Sequence, residues 1–500
     1  MIEIIDLIKF DKDSTLPLYV QLFEKLKALI SDGTLVCDVR LPSIRQLSKE
    51  LGVNRVTVVT AIRELEKDGY VYTKPGSGTF VSDNFLISAK SMHLQSSIVL
   101  DEVYTHEFAS LINNGQVSLT ENSINFASAT PTPDLFPVDD FKVALNEVLE
   151  RDKGNAFGYQ DSQGYYPLRE SICRVLGNAM VTCNPDDIQI ISGAQQGIDI
   201  ISKALLKQGE YIITESPTYA GAIAVFKSRG AKIADVELCD DGMNINVLEY
   251  TIKKYKPRLL YTIPSFQNPT GYSCPNHKRE QILKLADKYD LYIIEDDYVS
   301  DLDFEGRKYI TLKSMDKSNR VIFIKSYSKI FMPGLRLGFM IVPPGILGNV
   351  IEAKHATDIS TSGLIQRAFD LYIRKGFWDK HSRFMYDIYK ERYISTINAL
   401  DSNLPQSVKY GKPGGGLNLW LNLSPGFHVN KLANLCALND MVFAPGKIFY
   451  SGNSTQKLNN IRLSFASVHV ENIHRGIETL CKTIELMEKS NESYRNLPIL

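Results

Sequence analysis

The chain has 500 residues, of which 44% are hydrophobic and 23% are charged, and its formal net charge is -1. This length exceeds what one hydrophobic core supports, so two or three domains are expected, and the near-zero net charge excludes a protein that binds polyanions or membranes through its bulk charge. No apolar run reaches the ~18 residues of a membrane span, the start lacks a signal peptide's basic region, and the scattered cysteines form no C-x-x-C pair, so we expect a cytoplasmic protein with reduced thiols and no metal site.

The first predicted elements are short amphipathic helices and a hairpin within residues 14–82. Ser43 is suited to cap one helix, Gly52 makes a turn, and Asn54 caps a second helix. The apolar positions 58, 61, 62 and 65 of that second helix have the i, i+3, i+4, i+7 spacing of one buried face. The segment YVYTKPGSGTFV then predicts two strands around a glycine turn. A helix-turn-helix presents the N-terminal end of its second helix to the major groove of DNA, and the hairpin would be a wing beside it.

The charge of this segment is mildly basic, because residues 39–81 hold seven Lys and Arg against four acids, a net of +3. We therefore expect modest non-specific affinity for DNA and specific binding by a dimer. A helical protein-interaction module is the alternative. The segment resembles the winged helix-turn-helix of the GntR superfamily, at residues 41–43, 51–53 and 76–78 among others. The resemblance implies DNA contacts by Ser43, Arg45, Asn54, Arg55, Thr57, Gly76, Ser77 and Gly78.

Residues 83–118 carry the least pattern and are predicted to be a linker. Within residues 119–490, short apolar runs such as IQIISG, LLYTIP and VIFIKS alternate with longer helical patterns. This alternation predicts βαβ units and a mostly parallel sheet covered by helices. The pattern becomes mixed after residue 376, so we expect a large domain at about 140–375 and a smaller α+β domain at about 376–490 that also takes the N-terminal segment.

The segment KSYSKIFMPGLRLG follows the predicted buried strand VIFI and places two lysines and an arginine at one strand end. This arrangement suits pyridoxal 5'-phosphate, an electron sink for reactions at the α-carbon of amino acids, because its aldehyde needs a lysine and its phosphate needs cations. Lys329 is the predicted imine-forming residue, and Lys325, inside the strand, is the rival. Arg336 is predicted to bind the phosphate, with hydroxyls from Ser326 and Ser328. A pair of solvated surface charges is the alternative.

Two further strand ends carry groups suited to the same cofactor. In SGAQQGID, residues Gly193, Ala194 and Gln195 are predicted to open a helix whose backbone N–H groups meet an anion, although a tight turn would also need small residues. In IIEDDYVS, Asp296 is predicted to bond the pyridine nitrogen and Tyr298 the ring oxygen, since alternate side chains of a strand face the same side. An acidic strand end that faces water is the alternative.

Three more residues complete the predicted site. In PSFQNPTG, Asn268 would donate to the ring oxygen, and the following bond to Pro269 is expected to be cis. In ESPTYAG, Tyr219 would stack on the ring, unless it is an ordinary core tyrosine. Arg462 lies in the apolar run NNIRLSFA, where a buried arginine is costly without an anion, so it is predicted to bind a substrate carboxylate, with a structural ion pair as the alternative. Lys329, Asp296 and Tyr298 form the predicted catalytic group.

Residues 124 to about 486 resemble the class I/II aminotransferases, of fold type I among pyridoxal phosphate enzymes. Further matches are INFASATPTPDLFP, YQDSQGYYPLRESI and GGGLNLWL. The resemblance implies a multidomain chain in which a winged helix-turn-helix precedes an α/β transferase fold with a large domain of mostly parallel sheet and a small α+β C-terminal domain. It also implies an active site at the interface of a homodimer.

A GntR-like head on an aminotransferase-like body is similar to the MocR/GabR-type transcription regulators. This resemblance implies a regulator that binds double-stranded operator DNA and senses an amino acid or amine as an aldimine, in dimers that are usually head-to-tail. Some members carry His-Gln-x-Pro where this chain has Gln267-Asn268-Pro269, the version typical of working aminotransferases. An active aminotransferase with an accessory DNA-binding head therefore stays open as the alternative.

Overall fold

A computed structural model describes residues 8, 10, 17–31, 35, 39–67, 70–74, 78–82, 123–178, 180–239, 242–307, 309–452 and 459–495. The chain divides into two compact units, one holding residues 8–82 of this set and the other residues 123–495. The predicted linker at 83–118 and the predicted DNA contacts Gly76 and Ser77 lie outside the described residues. The boundaries given above for linker and domains stay predictions.

The N-terminal unit consists of helices α1 (Leu18–Ser31), α2 (Ile44–Glu50) and α3 (Arg55–Lys67), and strands β1 (Val71–Lys74) and β2 (Gly78–Val81). As its spacing predicts, α3 buries one face, made by Val58, Ala61, Ile62 and Leu65. Both predicted caps form, because the side chain of Ser43 accepts a bond from the Gln46 N–H at 3.2 Å and that of Asn54 accepts one from the Val56 N–H at 3.0 Å. β1 and β2 form the predicted antiparallel hairpin.

The helices of the second unit cover its sheets and connect their strands. They are α4 (Val138–Asp152), α5 (Tyr166–Asn178), α6 (Ala194–Leu205), α7 (Ala220–Ser228), α8 (Ile245–Tyr255), α9 (Asn276–Lys288), α10 (Leu312–Met315), α11 (Pro344–Asp358), α12 (Gly363–Arg374), α13 (Phe377–Asn403), α14 (Val429–Leu438) and α15 (Val470–Arg495). Short 3₁₀ turns lie at Pro133–Leu135, Lys153–Phe157, Pro185–Asp187, Pro333–Leu335 and Gly446–Phe449.

The strands of the second unit form one large sheet and two small ones. They are β3 (Ile124–Asn125), β4 (Ile188–Ile191), β5 (Tyr211–Ser216), β6 (Lys232–Cys239), β7 (Gly242–Met243), β8 (Leu259–Thr262), β9 (Tyr292–Asp297), β10 (Val321–Ser326), β11 (Gly338–Ile341), β12 (Lys409–Tyr410), β13 (Asn418–Asn422), β14 (Met441–Val442), β15 (Ala444–Pro445) and β16 (Asn460–Ser464).

The large sheet has eight strands in the order β4-β11-β10-β9-β8-β5-β6-β7. The central strands β10, β9, β8, β5 and β6 are parallel, whereas β11 runs antiparallel to both its neighbours and β7 runs antiparallel to β6. Every residue of β4, β8 and β10 is buried, as expected of strands with helices on both faces. Because the carboxyl ends of parallel strands meet at one edge, the loops after β5, β8, β9 and β10 are neighbours.

A second, antiparallel sheet has the order β12-β13-β16-β15. Beside it, β3 from the start of the unit pairs in parallel with β14, so the segment around Ile124 packs with the C-terminal part of the chain. Helix α13 has 27 residues and packs along α15. Within the described residues, no helix combines the length and the apolar character that crossing a membrane requires.

Candidate functional site

Lys329 lies in the turn that follows β10, where it is half-buried. Its backbone carbonyl oxygen accepts a hydrogen bond of 2.8 Å from the hydroxyl of Tyr389 in α13. The rival Lys325 lies within β10 instead, and its ammonium group forms ion pairs with Asp297 at 3.0 Å and Asp301 at 2.8 Å. Since these carboxylates engage Lys325, the geometry favours Lys329 as the reactive amine.

Asp296 is the penultimate residue of β9 and is only 4% exposed. Its Oδ2 accepts a hydrogen bond of 2.6 Å from Tyr261, whereas its Oδ1 is buried and has no hydrogen-bond partner among the described residues. Burial raises the pKa of Asp296 to about 6, and the Tyr261 bond and the charge of Lys329 oppose that rise. Lys329 follows β10, the parallel neighbour of the strand β9 that carries Asp296, so both predicted catalytic residues belong to the same edge of the sheet. An unpaired buried acceptor is costly, so a cationic N–H donor would fit at Oδ1.

The start of helix α6 and Arg336 approach each other closely. Gly193 is the N-terminal cap of α6 and has a φ of 88°, which favours glycine. A Cβ placed there would come within 2.8 Å of Nη2 of Arg336, whose guanidinium also donates to the Ser192 carbonyl at 2.8 Å. Ala194 is the first residue of α6. A helix N-terminus beside an exposed guanidinium is suited to bind a phosphate.

Hydrogen bonds link the other predicted phosphate and ring contacts. The amide of Gln195 donates to the Gly221 carbonyl at 2.9 Å, and its oxygen accepts from the hydroxyl of Tyr219 at 3.1 Å. This bond connects the starts of α6 and α7. After β10, the Ser326 hydroxyl donates to that of Ser328 at 3.1 Å. Hydrogen bonds within each pair therefore fix the positions of these side chains.

Arg462 and Asn268 meet although 194 positions separate them in the chain. Arg462 in β16 is 1% exposed, and its Nη1 donates to Oδ1 of Asn268 at 3.2 Å. Its Nη2 donates to the Ala127 carbonyl, and its guanidinium lies 5.1 Å from the centre of the Phe449 ring. The bond between Asn268 and Pro269 is cis, as expected. The predicted carboxylate-binding and ring-binding residues are therefore direct neighbours.

Tyr298 is buried, and its hydroxyl makes two hydrogen bonds within the protein. It donates to the Phe266 carbonyl at 2.6 Å and accepts from the amide of Asn418 at 2.9 Å. These bonds join the loop after β8 to β13. The role of Tyr298 at a ring oxygen stays a prediction.

Glu215 is a buried carboxyl that the sequence analysis did not single out. It accepts hydrogen bonds from the hydroxyl of Thr262, from the amide of Gln267 at 3.1 Å and from the Ile263 N–H at 3.3 Å. Gln267 also donates to the Pro217 carbonyl at 2.8 Å. Burial raises the pKa of Glu215 to about 7. This network connects the loop that carries Tyr219 to the loop that carries Asn268. In the sequence, an acidic residue near the end of an apolar strand is the signal that could have identified Glu215.

A cavity of about 850 Å³ lies beside these residues, between the large sheet and the antiparallel sheet. Pro217, Thr270, Trp420 and Asn460 are among its lining residues, and the predicted cofactor contacts are not. Trp420 is the cross-strand partner of Arg462. The cavity therefore borders the predicted site.

In the N-terminal unit, the predicted DNA contacts lie at the surface. Ser43, Arg45, Asn54 and Arg55 are exposed, and Thr57 is half-exposed on the first turn of α3. Gly78 opens β2 with a φ of 123°. Arg55 and Thr57 thus lie at the N-terminal end of the second helix, the end that a helix-turn-helix presents to a groove.

Comparison with known families assigns both units. The family of class I and II aminotransferases matches residues 115–480. The chain belongs to this aminotransferase family. The GntR family of bacterial regulatory proteins matches residues 18–81. The prediction of a GntR-type domain followed by a class I/II aminotransferase domain is therefore confirmed.

Relatives of this aminotransferase-family chain include enzymes and regulators. Aromatic-amino-acid aminotransferase 1 of Thermococcus litoralis is 31% identical over 73% of this chain and 89% of that protein. The probable rhizopine catabolism regulatory protein MocR of Rhizobium meliloti is 27% identical over 96% of this chain and 96% of that protein. The crystal structure of Pyrococcus horikoshii kynurenine aminotransferase, in complex with PMP, has a TM-score of 0.70 and 31% identity and covers 80% of this chain and 96% of that chain. The MocR-type layout and the fold type I architecture are thus confirmed.

The aminotransferase family implies pyridoxal 5'-phosphate as the cofactor, and the residues present fit it. The buried Oδ1 of Asp296 needs a donor, which a protonated pyridine nitrogen would provide. Gly193 and Arg336 form a cradle whose space a larger side chain would fill. Lys329 is half-buried in the turn after β10, next to the strand that carries Asp296, so its amine would lie at the same sheet edge as the ring.

Proposed function

We propose that this protein is a transcription regulator that binds double-stranded DNA through its N-terminal unit and senses a small amino compound through its aminotransferase-family unit. The observation that carries the proposal is the alignment with MocR, which spans 96% of both chains and therefore includes both units. A role on the chromosome requires a cytoplasmic location.

The proposed sensor site uses this chain's residues as follows. Pyridoxal 5'-phosphate, when bound, supplies an electron sink for an amino compound. The ε-amine of Lys329 would hold its aldehyde. Tyr261 bonds Oδ2 of Asp296 and so orients the carboxylate, which would keep the ring nitrogen protonated. Arg336 and the N-terminus of α6 bind its phosphate. The remaining proposed contacts are Gly193, Ala194, Gln195, Tyr219, Asn268, Tyr298, Ser326 and Ser328.

Arg462 is the proposed contact for an effector carboxylate. Its burial strengthens any interaction with an anion, and its bond to Asn268 fixes the guanidinium next to the proposed ring contact. An amino acid would thus place its amine at the cofactor's aldehyde, beside Lys329, and its carboxylate at Arg462. An amine without a carboxylate would lose the second contact.

A head-to-tail homodimer is the proposed assembly, with one N-terminal unit per operator half-site. Two aromatic side chains on one loop support it, because Phe157 is 69% exposed and Tyr159 is 89% exposed. Large exposed aromatics in a cluster are typical of surfaces that a partner covers. Sedimentation analysis of the full chain tests the assembly, and a monomer at micromolar concentration would contradict it.

DNA binding and turnover together test the proposed function. We expect a salt-dependent mobility shift on the DNA upstream of the protein's own gene, altered by one member of an amino acid panel. A shift would also reject a protein-interaction role for the N-terminal unit.

The second candidate is an aminotransferase with an accessory DNA-binding unit, which the identity to the Thermococcus litoralis enzyme favours. Steady multiple turnover with a 2-oxo acid at ordinary enzyme rates would support that candidate over the sensor.

A further inference from the structure

Two cysteines of the second unit lie in direct contact. Cys173 belongs to α5, and Cys183 belongs to the loop between α5 and β4. Their Sγ atoms are 2.8 Å apart, both are free thiols, and both are half-buried. Neither residue takes part in the predicted cofactor, effector or DNA sites.

We propose that Cys173 and Cys183 form a redox modification site, at which a low-molecular-weight disulfide such as oxidised glutathione converts the two thiols into an intramolecular disulfide. This proposal does not depend on the proposed function. It differs from the expectation of unpaired reduced thiols, which rested on spacing along the sequence.

Hydrogen bonds within the segment 173–183, and one between residues that flank it, hold the two thiols together. The Val181 N–H donates to the Leu176 carbonyl at 3.1 Å, and the Met180 N–H donates to the Gly177 carbonyl at 3.2 Å. Further along the loop, Arg169 donates from its guanidinium to the Pro185 carbonyl at 3.0 Å. The folded chain therefore brings the sulfurs together before any bond forms, and little additional ordering is needed.

The environment gives the two thiols different roles in the exchange. The hydrogen bond from Cys183 lowers the pKa of Cys173, and the charge of Arg169 adds to this effect, although burial opposes it. The same contact, with burial, raises the pKa of Cys183. Cys173 is thus the thiolate available for attack, and Cys183 is the resolving thiol.

The exchange balances in two steps. The Cys173 thiolate attacks one sulfur of oxidised glutathione, forms a mixed disulfide and releases one glutathione thiolate. Cys183 then loses its proton to solvent and displaces the second glutathione thiolate as the intramolecular bond forms. The two thiols of the protein are oxidised, and the glutathione disulfide is reduced to two thiols.

The other cysteines within the described residues provide internal controls. Cys274, Cys436 and Cys481 are buried, whereas Cys239 is exposed at the end of β6. Exposure alone would favour modification of Cys239. Contact between two thiols favours Cys173 and Cys183, so the two explanations predict different products.

Mass spectrometry of the full-length protein tests the proposal. Reduced protein is incubated with oxidised glutathione, and its remaining thiols are then alkylated. We expect a loss of two alkylatable thiols, a mass decrease of about 2 Da before alkylation, and a cross-linked peptide joining residues 173 and 183, all reversed by dithiothreitol. The Cys183→Ser variant should retain glutathione on Cys173, and Cys239→Ser should oxidise like the wild type.

Two results would overturn the proposal. In the first, Cys173 and Cys183 both stay alkylatable in the wild type under conditions that glutathionylate Cys239. In the second, the cross-linked peptide joins Cys239 of two chains. In either case contact between the thiols would not control the chemistry. A Cys183→Ser variant that carries no glutathione at Cys173 would reject the assigned order of attack.

Discussion

The hydroxyl of Tyr389 donates a hydrogen bond of 2.8 Å to the backbone carbonyl of Lys329. On the same helix, His381 bonds the next carbonyl, that of Ile330, at 2.8 Å. Helix α13 therefore holds the turn that presents the proposed reactive lysine. Further along α13, Arg392 donates to the Ala466 carbonyl, two residues beyond β16. One helix thus connects the lysine turn with the strand that carries Arg462.

Removing the Tyr389 hydroxyl tests this connection. In Tyr389→Phe, the carbonyl of Lys329 loses its partner, and we expect a loss of about 1 kcal/mol in unfolding free energy together with slower covalent attachment of added cofactor. Denaturant titration and borohydride trapping measure the two effects. Tyr393→Phe is the matched control, because this tyrosine of α13 donates to the Pro413 carbonyl at 2.6 Å, away from the lysine. Equal attachment rates in both variants would contradict a role for α13 at Lys329.

Replacing Lys329 and replacing Lys325 should have different effects, one on cofactor attachment and the other on stability. Lys329→Ala should abolish borohydride-stable attachment of the cofactor without a large loss of stability. Lys325→Ala should keep the attachment and lose about 3–5 kcal/mol of stability, because Asp297 and Asp301 would lose the cation between them. Trapping followed by peptide mapping identifies the modified lysine. An adduct that persists in Lys329→Ala would mean that the reactive amine is elsewhere.

Arg462 should discriminate between effectors by their carboxylate. In Arg462→Gln, affinity for the effector amino acid should fall about 100-fold, since a bidentate charge-assisted contact is lost. Affinity for the corresponding amine without a carboxylate should change little. Titration of the cofactor's visible absorbance gives both values. A similar loss for both ligands would show that the arginine only supports the fold around Asn268.

Arg55 should matter for DNA binding more than other basic residues of α3. Both Arg55 and Arg63 are exposed, but only Arg55 lies on the first turn. We expect Arg55→Ala to weaken operator binding about 10-fold and Arg63→Ala to change it far less. Neither variant should affect cofactor binding. Unchanged affinity in Arg55→Ala, measured by fluorescence anisotropy at fixed salt, would place the recognition surface elsewhere.

The stability of the cofactor-free protein should fall as pH rises toward neutrality. Burial raises the folded-state pKa of Glu215 from 4.5 to about 7, so its contribution is fully present below pH 4.5 and is lost as pH rises through 7. The shift corresponds to a loss of about 3 kcal/mol above pH 7. In Glu215→Gln, overall stability should be lower, and the decrease between pH 5 and pH 8 should be shallower by the equivalent of one proton. Parallel curves for the two proteins, from urea unfolding, would show that Glu215 does not titrate in this range.

The sequence by itself determined the architecture, and it indicated most residues of the candidate site. The spacing of Val58, Ala61, Ile62 and Leu65 fixes the buried face of α3, because a helix repeats every ~3.6 residues whatever surrounds it. The apolar runs shortly before Asp296 and Lys329 likewise predict strands, and the parallel sheet brings the ends of such strands to one edge. The repeat of a helix or strand is a property of the backbone, so its pattern of apolar residues is visible in the amino-acid sequence alone.

Only the tertiary structure decided which distant side chains meet. Tyr261 looks like any core tyrosine in the sequence, but the parallel pairing of β8 with β9 sets it opposite Ile294 and so beside Asp296. The contacts of Glu215 with Gln267, of Tyr389 with Lys329 and of Cys173 with Cys183 depend in the same way on strand register and helix packing. These contacts arise only when the whole chain packs. Each segment alone would permit many strand registers, and the need to bury apolar side chains and to satisfy hydrogen bonds selects one of them.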